Sequence, residues 1–178
     1  MKQIGHVYVA QAADGCKIGL AGDPRARVSG LNTGRADEAR LVYATDGMPY
    51  ARAQAVERRA HVQLEPLRIR GEWFATSPDI ARCVVELCGL DAGEGAGRAA
   101  EISAALVLIV AYAQAQRSES AALAQIGMGS PRWDGPVWEA HRAAAKAQRA
   151  AARELLGPLK EALQIAGAGQ ALLDDMWN

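Results

Sequence analysis

Residues 56–74, VERRAHVQLEPLRIRGEWF, decide how this chain is read. The first half has helical character and sets Glu57 and His61 four residues apart on one face. Pro66 ends that helix, since proline lacks an amide proton and its ring clashes with the preceding turn. A short loop then delivers Glu72, Trp73 and Phe74 to the next element. An acid beside an imidazole, among Arg58, Arg59, Arg68 and Arg70, points to divalent-cation and phosphate chemistry. The same charges also suit a solvated surface helix, and this stretch alone does not separate the two.

Working outward, residues 4–10 (IGHVYVA) and 16–21 (CKIGLA) have strand composition and flank the turn Ala13-Asp14-Gly15, so they form a hairpin. Asp23 and Pro24 start a helix, as its N-cap and first residue, and that helix carries Arg25, Arg27 and Leu31. Residues 41–45 form a third strand and 50–64 the helix of the central stretch. Residues 72–76 are a short extended piece. Ser77-Pro78 opens a further helix to about residue 87, with Ile80, Val84 and Leu87 as its buried stripe. The expected class is α+β: a short three-stranded antiparallel sheet flanked by helices over residues 1–90.

Residues 91–97 (DAGEGAG) read as a glycine-rich linker. Beyond it, residues 98–178 are alanine-rich and all helical in pattern. Helices are expected over 98–116, 118–126, 136–156, 158–166 and 170–177, with a loop at 127–135. Arg142, Lys146, Arg149 and Arg153 recur at helical spacing as one basic face. Such a face either solubilises a helix or tracks phosphates.

The whole-chain totals set limits. Among 178 residues, 20 basic and 20 acidic side chains give a net charge of zero, which excludes a strongly basic nucleic-acid protein. Between Arg25 and Arg70, however, nine arginines face five acids, a local excess able to hold a phosphate backbone. No apolar run reaches membrane-spanning length and no secretory pattern opens the chain, so no membrane role is expected. Cys16, Cys83 and Cys88 are odd in number and lack metal spacing; they read as reduced thiols of a cytoplasmic protein.

With Tyr8, Lys17-Ile18-Gly19, Arg27 and the Glu57/His61/Glu72 stretch in this order, residues 4–90 resemble the GIY-YIG endonuclease superfamily. The nearest pattern is its phage-associated branch, "VY – KIG – DPxxR – E…H – EWF". The resemblance implies a bacterial or phage enzyme that hydrolyses DNA phosphodiesters with Mg²⁺ or Mn²⁺. By that likeness Glu57 is the metal ligand, Arg27 neutralises the scissile phosphate, and Tyr8 helps activate water. Lys17 replaces the second motif's tyrosine, and is open as phosphate contact, as a charge acting on Tyr8, or as base. Leu31 stands where relatives carry an acid/base partner, which leaves His61 as helper or as structural histidine. Glu72 holds metal waters or orients Arg27. Arg25, Arg58 and Arg59, with the basic face of residues 142–153, are the candidate DNA contacts. The helical region engages DNA or forms a homodimer. The alternative is a weakly active or inactive module of the same fold that binds DNA or another protein.

Overall fold

The computed structural model describes residues 3–33, 37–91, 99–127, 136–166, 169, 170, 172 and 174. In β1 (Ile4–Ala12), Val7 and Val9 alternate with Tyr8 and Ala10, and all four are fully buried. A strand apolar on both faces belongs at the centre of a sheet. It pairs antiparallel with β2 (Gly15–Ala21) across a tight turn, with Tyr8 opposite Gly19 and Ala10 opposite Lys17. Gly15 holds a φ of 146°, and a Cβ there would meet the Phe74 carbonyl oxygen at 2.3 Å, so the turn requires glycine.

Helix α1 (Pro24–Leu31) begins as its sequence demands, the Asp23 carboxylate accepting the Ala26 amide at 3.1 Å. Asn32 then bonds both the amide and the carbonyl of Ala39, each at 2.8 Å, and seats β3 (Arg40–Ala44) on the other side of β1. The two-residue β4 (Met48–Pro49) pairs with the start of β1 and leads into α2 (Tyr50–Gln63). Pro66 sits in a single 3-10 turn, Glu65–Leu67, followed by β5 (Arg68–Arg70) and β6 (Trp73–Phe74). The sheet order is β3-β1-β2-β6-β5, with β4 beside β1. Helices α3 (Pro78–Asp91), α4 (Ala99–Gly127) and α5 (Pro136–Ala166) complete the described chain.

The α+β class and the helical C-terminal region are as the sequence leads one to expect. The sheet is larger than three strands, because β4, β5 and β6 are two or three residues long and too short to show alternation. Residues 98–116 and 118–126 fuse into one helix, since nothing at Arg117-Ser118 breaks the backbone ladder. Helix α5 likewise continues through Pro158. Loss of a helix bond at proline costs about 3 kcal/mol. Burial of Leu159, Leu163 and Ala166 just beyond it offsets that cost. Residues 92–97 of the glycine-rich stretch, the loop at 128–135 and most of 170–177 lie outside the described residues.

The sheet separates two apolar layers. On one face Val7, Val9, Ile18 and Phe74 pack with α2 and α3, and the same cluster continues to Ile109 of α4 and Leu163 of α5. On the other, Tyr8, Ala10 and Trp73 pack with Val28 of α1. All three cysteines are buried, and none is in a disulfide. No described helix is long and apolar enough to cross a membrane.

Candidate metal and phosphate site

Strand β6 pairs with β2 only at Cys16 and Lys17, so the outer edge of β2 from Ile18 onward has no strand partner. Its peptide groups are satisfied otherwise, as unpaired backbone must be. The Ile18 amide donates to the Glu72 carbonyl at 3.2 Å, just before β6 begins. The Ile18 carbonyl receives His61 Nε2 at 3.0 Å. The Leu20 amide faces the Glu57 carboxyl and favours its ionised form. Ala53, Val56 and Ala60 are the buried residues that hold α2 against the sheet, and the remaining face of that helix aims Glu57 and His61 at this edge.

One ligand atom each from Glu57, His61 and Glu72 can be chosen so that all three lie within 4.8 Å of one another. A carbonyl can only accept, so His61 Nε2 carries the proton in that bond and Nδ1 keeps its lone pair in the neutral ring. The ring is further fixed by Phe74, 5.4 Å away between centroids. Two carboxylates and one imidazole nitrogen form a donor set that suits a small, hard divalent cation retaining several waters. The residues therefore fit a metal of that kind. Burial pushes the Glu57 carboxyl above its ordinary range; His61 and Lys17 pull it down and Glu72 adds to the rise.

Lys17 is the one buried charged residue among those described, at 5% exposure, and its ammonium pairs with the half-exposed Glu72 carboxylate. Lys17 points to the face opposite Cys16 and Ile18, which is the Tyr8 face. Tyr8 in turn lies across Gly19. A Cβ on Gly19 would come within 2.6 Å of the Tyr8 hydroxyl, so only glycine leaves room for the ring. That hydroxyl is buried and makes no hydrogen bond. Burial raises the Tyr8 pKa most, while the neighbouring Arg27 guanidinium works against the rise, and Glu72 and Glu57 add to it. Arg27 acts on the Tyr8 hydroxyl from nearby, outside hydrogen-bond geometry. The cation that acts most strongly on Tyr8 is thus Arg27 of α1.

Tyr8, Lys17, Arg27, Glu57, His61 and Glu72 accordingly form one neighbourhood at the start of β6. The other basic candidates are all exposed. Arg25 is exposed at the start of α1 and faces a separate cavity. Arg58 and Arg59 are exposed on α2, about 100° and 200° round the helix from Glu57. Arg142, Lys146, Arg149 and Arg153 are all exposed on α5. Two contributors were not legible in the sequence: Gly19 as the space for Tyr8, and the bare edge of β2 that binds Glu57 and His61. Both depend on strand register. The pairing of KIG with a tyrosine eleven residues earlier is the only signal that hinted at the first.

Residues 5–89 match the family model of the T5orf172 domain. Neither the curated proteins nor the solved structures compared with the chain gave a match. The T5orf172 match points to a nuclease-like or DNA-binding role for this part of the chain, with DNA as the class of partner. It also corrects the resemblance drawn from the sequence, because the family matched is a different one from the GIY-YIG endonucleases. The physical reason is visible in the motifs themselves. Ile18 and Phe74 are core residues and Gly19 makes room for Tyr8. Short strands under those packing demands converge on such triplets, so KIG and EWF do not single out one family.

Proposed function

We propose that the protein is a metal-dependent endonuclease that hydrolyses DNA phosphodiesters at the Glu57–His61–Glu72 cluster, with Mg²⁺ or Mn²⁺ as its cation. The observation that carries this reading is the convergence of that donor set with a buried lysine, an arginine and an unpartnered tyrosine hydroxyl. Structural ion pairs seldom gather around a buried polar atom left without a partner. When bound, the cation supplies charge stabilisation on the phosphoryl oxygens and a more acidic water.

The chain's own residues do the remainder. Arg27, exposed beside the tyrosine, meets the phosphate and offsets charge growing on its oxygens. The Tyr8 hydroxyl, buried behind Arg27, gains that guanidinium as a hydrogen-bond partner once the phosphate orients it. Lys17 holds Glu72 in place from below. His61 Nδ1 is available as ligand or proton acceptor because Ile18 keeps the proton on Nε2. The exposed basic face of α5 engages flanking DNA. Calorimetric titration with Mn²⁺ tests the donor set: one site is expected in the wild type, and weakening of at least tenfold in both Glu57→Ala and His61→Ala. Equal binding in all three proteins would remove the cluster from the mechanism.

A further inference from the structure

Strand β1 carries a second histidine on the Tyr8 face, two residues before the tyrosine. His6 Nδ1 lies 2.8 Å from the Thr45 carbonyl oxygen. That carbonyl fixes the proton on Nδ1 and leaves Nε2 as an acceptor in the neutral ring. The ring lines a cavity of about 400 Å³ together with Asp23, Pro24, Arg25, Leu41 and Ala44. Leu41 also packs against the apolar cluster that contains Tyr8, so the cavity opens on the same face of the sheet as the tyrosine.

The chemistry of this cavity differs from that of a phosphate pocket. The start of α1 is already capped, Asp23 Oδ1 taking the Ala26 amide, and its carboxylate would repel an anion. The walls offer an apolar floor in Pro24, Leu41 and Ala44, an imidazole lone pair, a carboxylate and one guanidinium. Acceptors placed over an apolar floor recognise a base edge that donates, and in the major groove only adenine N6 and cytosine N4 do so. Arg25 is then placed to hold the adjoining phosphate.

We infer that the cavity between α1, β1 and β3 reads an adenine or cytosine amino group beside the scissile phosphate, with His6 Nε2 as the acceptor. This rests on the endonuclease reading and gives it a sequence preference. The test is a binding selection from a randomised duplex DNA library, run in EDTA so that no cleavage occurs. His6→Asn is the informative variant, since its side-chain amide can still donate to Thr45 while the distal acceptor is gone; His6→Ala accompanies it, with thermal melting as the check on folding.

The wild type should enrich adenine or cytosine at one position by about tenfold, the discrimination of one good base contact. His6→Asn should lose that enrichment while binding DNA overall within about threefold of wild type, since phosphate contacts dominate affinity. DNA bound without any base preference, or a preference that survives in a folded His6→Asn, would overturn the inference and leave the endonuclease reading standing. No binding to any member of the library would overturn both.

Discussion

A buried hydroxyl with no partner costs about 1–3 kcal/mol, and Tyr8 carries one in the free protein. Tyr8→Phe should therefore leave thermal stability unchanged or raise it by about 1 kcal/mol, while cleavage of DNA falls at least a hundredfold. A fall in both would make Tyr8 a core aromatic only. Glu57 gives a pH test. Its folded-state pKa is raised, because burial disfavours the charged carboxylate relative to the unfolded chain. The stability it contributes is full below the ordinary carboxyl value of 4.5 and is lost as pH rises through the raised value. Without metal, Glu57→Gln should melt above the wild type at pH 7, and the gap should close below about pH 4. At this scale the sequence displays the chemistry-bearing side chains, because acid, imidazole, phenol and guanidinium are visible as letters. It conceals the tautomers of His6 and His61, which are set by carbonyls 39 and 43 positions away in the chain.

Elements were legible to the extent that local chemistry defines them. Asp23-Pro24 announced α1, and Pro66 marked the end of α2 within a few residues. The short strands β5 and β6 were not legible as a pair, although they close the sheet and present Glu72. Their existence depends on the edge of β2 and on the positive φ of Gly71, 49°, between them. The apparent break at residue 117 failed because nothing there interrupts the helix ladder, and that at Pro158 because burial just beyond it outweighs local preference. Helix α5 carries its own prediction. Neutralising Arg142, Lys146, Arg149 and Arg153 together should reduce the slope of log affinity for duplex DNA against log salt by about 3.6, given roughly 0.9 per phosphate contact. An unchanged slope would assign that face to solubility.

For the molecule as a whole, the core runs without interruption from Val7 and Phe74 through Ile80 and Leu87 to Ile102, Ile109, Leu159 and Leu163. The glycine-rich composition of residues 91–97 places a boundary there, and whether the first ninety residues fold alone is a matter for experiment. A fragment ending at residue 90 would expose the apolar surface that α4 covers. Its thermal midpoint should fall by more than 10 °C relative to the full chain, on the order of the loss of several buried aliphatic side chains. A fragment melting with the full chain would show that the first ninety residues stand alone. The central claim, a divalent cation held at Glu57 that serves phosphodiester cleavage, is tested most directly by incubating supercoiled plasmid with purified protein and Mn²⁺, beside Glu57→Ala and an EDTA control. Nicking by the wild type alone, and only with metal, is the expected result. Nicking that persists in Glu57→Ala or in EDTA, or a wild type that never nicks at any concentration of Mg²⁺ or Mn²⁺, would contradict it.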